Sequence, residues 1–210
     1  MTHNDYCCAT DALKAIVDKA IKKRLKQTGF KKRGYLWNRS RGGLVDVVFL
    51  QRSSYSDQDF QSFTVNFGVC VEELYNIIWE KGGARFVTYP DCQVSLRVGR
   101  SIDAFEAGGG REVWWTLKSG DLRFEETHDS VDVEFGKLFP SYFEEFGSVR
   151  GVRDYLRRYV RAGYLGPWDG LYLALMDHML GEDVDPKLFE PARKKGWTKI
   201  VGRVERAIAS

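Results

Sequence analysis

Between Phe63 and Val71 the chain alternates without a fault. Phe63, Val65, Phe67, Val69 and Val71 are apolar, and Thr64, Asn66, Gly68 and Cys70 stand between them. A period of two sends the two sets to opposite faces of a strand, with one face turned to a core. Val94, Leu96 and Val98 repeat the pattern against Ser95, Arg97 and Gly99. Strands with one apolar face belong to antiparallel sheets. Residues 35–39 and 44–51 read as two more strands, joined through Ser40-Arg41-Gly42-Gly43, a loop that suits a hairpin. A further short strand is expected at 113–117, after the flexible run Gly108-Gly109-Gly110, and a short helix or turn at 72–79.

Helical spacing flanks this block. Leu13, Ile16, Val17, Ala20, Ile21 and Leu25 form a stripe, with Thr10 as the expected N-cap and Gly29 as the C-cap glycine. Lys19, Lys22 and Lys26 lie opposite the stripe. Arg24 falls on its apolar side, so it either snorkels past the helix end or meets a buried acid. Further on, Val131, Phe135 and Leu138 predict a helix that Pro140 interrupts, and Ser148 caps one carrying Val149, Val152, Leu156, Tyr159 and Val160. Pro167 opens another, to about 180. A short one begins at Asp185-Pro186, and a last one carries Trp197, Ile200, Val201, Val204 and Ile208 opposite Lys199, Arg203 and Arg206. The order predicts an α+β fold with an N-terminal helix, a four- or five-stranded antiparallel sheet and a C-terminal helical cluster. We expect one domain over 1–210, with the sheet core at about 10–118 and the helical region at about 129–210.

Composition narrows the class. With 210 residues, 43% hydrophobic and 29% charged, the chain has the make-up of a globular domain. No apolar run reaches the roughly 18 residues of a membrane span, and the N-terminus lacks the basic start and apolar core of a secretory signal. Four cysteines at 7, 8, 70 and 92 show no metal or disulfide spacing. Reduced thiols in a cytoplasmic protein are therefore the expectation.

The phrases GFKKRGYLWNR, VVFLQRS and SFTVNFGV follow the terminal helix in that order. Together they resemble the bacterial family known as domain of unknown function 4304, and the pair Trp114-Trp115 is consistent with it. The resemblance spans roughly 13–117. It implies an α+β domain with no established activity, so no catalytic residue carries over.

Two surfaces are candidates for binding. The first is the polar row of the sheet, where Thr64, Asn66 and Gly68 share a face that Ser95 and Arg97 can join, with Gln51 and Arg52 ending a strand nearby. Such a row suits an acidic or amide-bearing ligand. Alternatively, a later helix covers the row and the polar groups satisfy one another. The second is basic. From Lys19 to Arg41 there are ten cations and no acid, with Lys31, Lys32, Arg33 and Arg39 at its heart. Beside Tyr35 and Trp37 it could meet phosphates and stack bases; an acidic protein would use the same patch. Further basic faces lie at Arg150, Arg153, Arg157 and Arg161, and at Lys199, Arg203 and Arg206.

Catalysis has less support. Of three histidines, His3 lies in a terminus expected to fray. His178 reads as a packed imidazole, and only His128, beside Glu125, Glu126 and Asp129, has carboxylates near. Metal spacing is absent, no histidine is placed near Cys70 or Cys92, and the triple glycine lacks a phosphate-loop Lys-Ser. No cofactor is implied. Phe139, Tyr142, Phe143 and Phe146, beside Glu144 and Glu145, read either as core or as a self-association surface. The leading expectation is a non-catalytic module that recognises a protein partner, of the kind that neutralises a toxin; the alternative is a nucleic-acid binder using 19–41. Neither involves a membrane.

Overall fold

The computed structural model describes residues 8–80, 86–100, 112–120 and 123–210. The triple glycine, His3 and Cys7 lie outside them.

The first helix begins as α1 (Ala9–Ile16), widens to a π-helical stretch over Val17–Lys22 and ends as α2 (Lys23–Gln27). Cys8, in extended conformation, takes the N-cap place expected for Thr10. The Thr10 hydroxyl instead donates to the carbonyls of Asp57 and Gln58. At the other end Gly29 takes φ +87°, its N–H reaching the Lys26 carbonyl while the Phe30 N–H reaches that of Leu25. This is the Schellman closure that a glycine permits.

Among the described residues six strands form the sheet: β1 (Lys31–Arg33), β2 (Leu36–Arg41), β3 (Leu44–Arg52), β4 (Phe60–Val71), β5 (Val94–Arg97) and β6 (Trp115–Lys118). All pairings are antiparallel in the order β1-β2-β3-β4, after which β4 forks. Its residues Asn66 to Val69 pair with β5, and Phe60 to Phe63 with β6. The sixth strand is β1, a three-residue edge that has no apolar alternation of its own to announce it.

One face of the sheet meets the first helix and α4 (Phe124–Glu145). Phe67 lies 5.5 Å from the ring of Phe135 and 5.7 Å from that of Tyr142, whose hydroxyl donates to the Val94 carbonyl. Phe139, Tyr142, Phe143 and Phe146 are all buried here, so they are core and not a self-association surface. The helix runs straight through Pro140, contrary to the expected interruption. A proline removes one N–H, that reaching residue i−4, here Gly136, and the burial of four aromatic rings across that turn outweighs one lost bond. Arg24 meets an acid, although a half-exposed one and not the buried one expected: Nη2 lies 3.0 Å from Asp132 Oδ2, and Nη1 donates to the Asp132 carbonyl.

The C-terminal helices are α5 (Val149–Arg161), α6 (Pro167–Met179), α7 (Glu190–Lys194) and α8 (Thr198–Ile208). The Ser148 hydroxyl caps α5 by accepting from the Gly151 N–H, as its position predicts. The cluster docks on α3 (Glu72–Trp79) through tryptophans packed at a tilt. Trp79 and Trp168 are 5.2 Å apart, Trp168 and Trp197 4.4 Å. Asp177, buried on α6, receives Arg153 and Arg157 from α5. Glu182 beside them is held down at about 2 by its hydrogen bond from Arg153. Arg150, Arg153 and Arg157 are thus consumed in ion pairs, and Arg203 is taken by Glu80 and the Ile78 carbonyl.

Candidate functional site

The polar row is closed along β4, while Ser95 on β5 stays exposed. Asn66 and Thr64 have no exposed surface. The cover is not a later helix but the run from Phe86 to Gln93 ahead of β5. Asn38 clamps it with two bonds, Nδ2 to the Val87 carbonyl at 3.0 Å and Oδ1 from the Val87 N–H at 2.6 Å. Tyr89 stacks on Phe49 at 6.3 Å, and the Gln93 side chain accepts from the Val71 N–H. Val45, Val47, Cys70, Tyr75 and Val87 make a second small core beneath.

Gly68 is the reason this cover fits. A Cβ built there lies 2.5 Å from Cys92 Sγ and 2.9 Å from Cys92 Cβ, so the bare backbone is the seat of the Cys92 side chain. We expect Gly68→Ala to cost about 1–3 kcal/mol in urea unfolding, and Cys92→Ala in the same chain to recover part of it. Equal losses in the single and double variants would contradict the assignment.

Within the row, Gln51, Asn66 and Arg97 do come together. Arg97 Nε donates to Asn66 Oδ1 at 3.0 Å and Nη2 to Gln51 Oε1 at 3.2 Å, while Nη1 pairs with Glu112. Trp114 lies under the guanidinium at 5.3 Å. Asn66 also donates to Gln51 Oε1 and to the Phe49 carbonyl. These three side chains satisfy one another and leave little for a ligand, whereas the buried Thr64 hydroxyl in the same row has no hydrogen-bond partner among the described residues. Arg52, paired in register with Phe63, lies on the opposite face and donates to Gln61.

Arg39 likewise leaves the candidate pole. Asp46 is a lone acid on the inward parity of β3, with no exposed surface, and it receives both Arg39 and Arg41. Nε and Nη2 of Arg39 meet Asp46 Oδ2 at 2.9 and 2.7 Å; Nε and Nη2 of Arg41 meet Oδ2 and Oδ1 at 2.6 and 2.8 Å. Arg41 also donates to the carbonyls of Phe143 and Phe146 at the end of α4. Asp46 was missed in the sequence, although an acid between Val45 and Val47 in a strand is itself the signal, since such a residue is rarely buried unpaired.

The basic pole that remains is smaller and cleaner. Lys22, Arg24, Arg39 and Arg41 are paired. Lys23, Lys26, Lys31, Lys32 and Arg33 are exposed and meet no carboxylate among the described residues. Lys31 and Arg33 share the parity of Asn38 and Leu36, while Lys32 lies over the ring of Trp37 at 5.2 Å. Trp37 is only 2% exposed, so it is not available to stack a base. Next to Lys31 opens a cavity of about 340 Å³ between the β1–β2 edge, α3 and Phe86–Val87. Ser40, Glu72 and Asn76 line it, and their side chains bond to nothing among the described residues.

Burial pushes the Cys70 thiol up to about 12 and raises that of Cys92, and a protonated thiol is a poor nucleophile. No cluster of three metal-ligating side chains occurs among the described residues. His178 is exposed on α6 rather than packed, and His128 has only Asp129, at 3.1 Å. No helix among the described residues is long and apolar enough to cross a membrane.

No curated protein and no solved structure matches the chain. A family model matches residues 21–144, which take in all six strands and nearly all of α4 and stop short of the helices from Val149 onward. The chain belongs to the family described as Domain of unknown function (DUF4304).

Proposed function

We propose that this protein is a non-catalytic, cytoplasmic bacterial binding module that recognises an acidic protein partner, such as a toxin it neutralises. The surface is the β1 edge with the cavity beside it. The observation that carries this reading is the unpaired charge of Lys31, Lys32 and Arg33 on an exposed edge strand, in a fold that pairs most of its other arginines. Free cations on a rigid strand attract acidic partners and speed encounter. The cavity beside Lys31, with Ser40, Glu72 and Asn76 unbonded, offers polar groups to an inserted side chain. Three unpaired thiols among the described residues accord with a reducing compartment.

A nucleic acid would use the same cations but lacks Trp37 as a stacking platform. Anisotropy titrations with a labelled octaglutamate peptide and with single- and double-stranded DNA across a salt series separate the two. We expect the peptide to bind, and Lys31→Glu/Lys32→Glu/Arg33→Glu to weaken it about tenfold or more, since each exposed pair contributes up to about 1 kcal/mol. Unchanged peptide affinity in the triple variant would overturn the reading. DNA binding that falls with a log–log slope near 0.9 per neutralised phosphate would replace it with the nucleic-acid reading.

A further inference from the structure

A second groove opens on the other side of β2, where the buried Asp46 holds its two arginines. Its volume is about 550 Å³, and Phe139, Pro140, Phe143 and Gly147 line it together with Arg39, Arg41 and Glu144. Two guanidinium groups share one carboxylate, so the pair carries one positive charge more than Asp46 neutralises. Arg41 Nε and Nη2 are fully engaged, by Asp46 and by the carbonyls of Phe143 and Phe146; Nη1 donates to nothing among the described residues. It lies beside Gly147, where even an added Cβ would stay 3.5 Å away. Arg39 is fixed in turn, with Nε and Nη2 on Asp46, Nη1 on the Thr28 carbonyl at 3.3 Å and its guanidinium 4.8 Å from the Phe30 ring and 5.6 Å from that of Phe143, which leaves one N–H each on Nη1 and Nη2 for the groove. The result is a rigid cationic fork at one end of an apolar wall, with its ordering cost already met by Asp46.

We propose that this groove binds a small organic carboxylate carried on an apolar body, its two oxygens on Arg41 Nη1 and the Arg39 edge and its body against Phe139, Pro140 and Phe143. The exposed Glu144 on the rim disfavours a dianion, which sets a monocarboxylate above phosphate. Arg39 lines both this groove and the cavity beside Lys31, but the groove uses none of Lys31, Lys32 and Arg33, and it stands whether or not the β1 edge binds a partner.

The test is a titration of the full chain with 3-phenylpropionate, followed through the arginine Nε–Hε resonances in ¹H–¹⁵N spectra. The uncharged 3-phenylpropionamide and inorganic phosphate serve as comparisons. We expect saturable shifts of the Arg39 and Arg41 signals, and the amide to bind about tenfold or more weakly, the loss of a charge-assisted bond. Glu144→Gln, an exposed change that leaves the fold intact, should tighten the carboxylate about two- to fivefold by removing a like charge. No saturable shift, equal binding of the amide, phosphate binding more tightly than the carboxylate, or an unchanged affinity in Glu144→Gln would each overturn the proposal.

Discussion

Replacing Asp46 with alanine is expected to cost about 3–5 kcal/mol of folding stability, the range for breaking a buried ion pair by removing one partner. For a chain of this length that corresponds to a fall in Tm of about 6–20 °C. Two terms combine. Arg39 and Arg41 keep only 24% and 27% side-chain exposure, so neither can recover full hydration once the carboxylate is gone. The remaining guanidinium groups also repel each other across the space that Asp46 filled. Arg41 ties the sheet to the carbonyls of Phe143 and Phe146, so hydrogen exchange at the end of α4 should quicken as well. Urea unfolding checks the magnitude, and a loss under about 1 kcal/mol would contradict a shared, buried carboxylate. Arg39→Met/Arg41→Met added to Asp46→Ala should restore part of the loss, because an apolar replacement of a whole buried ion cluster is often tolerated.

Gly170→Ala should cost about 3 kcal/mol or more, at the upper end of overpacking, even after the roughly 1 kcal/mol that alanine gains over glycine in a helix. Gly170 lies in α6 against the short turn over Pro186–Phe189. A Cβ there would overlap the Leu188 carbonyl oxygen and come within 3.0 Å of its carbon. The obstacle is backbone, so no rotamer change relieves it; α6 and the Leu188 turn must separate. The tilted contacts of Trp168 with Trp79 and Trp197 would loosen with them. Loss of near-ultraviolet circular dichroism together with the lower Tm is the expected signature, and wild-type values in both would contradict the close approach.

Much of this architecture was legible in the chain. The alternation over 63–71 assigned Phe63, Val65, Phe67 and Val69 to the core and Thr64, Asn66 and Gly68 to the other face, and both assignments stand. Gly29, Ser148 and Pro167 marked helix ends because caps are local chemistry, whereas Thr10 was drawn from its expected cap by the distant carbonyls of Asp57 and Gln58. What was not legible depends on long-range contacts. Periodicity says which face a residue takes but not what covers that face, and the cover from Phe86 to Gln93 has no periodic pattern of its own. Arg39 looked like one cation among ten until register placed it beside Asp46. Pro140 looked like a breaker because the local rule was applied without the aromatic burial around it. In the candidate site, Gln51, Asn66 and Arg97 were rightly grouped, yet the grouping makes a self-satisfied network. Lys31, Lys32 and Arg33 gained weight because the fold leaves them unpaired.

The most direct measurement is ¹H–¹⁵N shift mapping of the full chain with the octaglutamate peptide. The account predicts perturbations at Lys31, Lys32, Arg33, Ser40 and Asn76, around the β1 edge and its cavity, with Gln51, Asn66 and Arg97 unmoved. Perturbations centred on Gln51, Asn66 and Arg97 would contradict it, because the closed polar row would then be the surface that opens to bind.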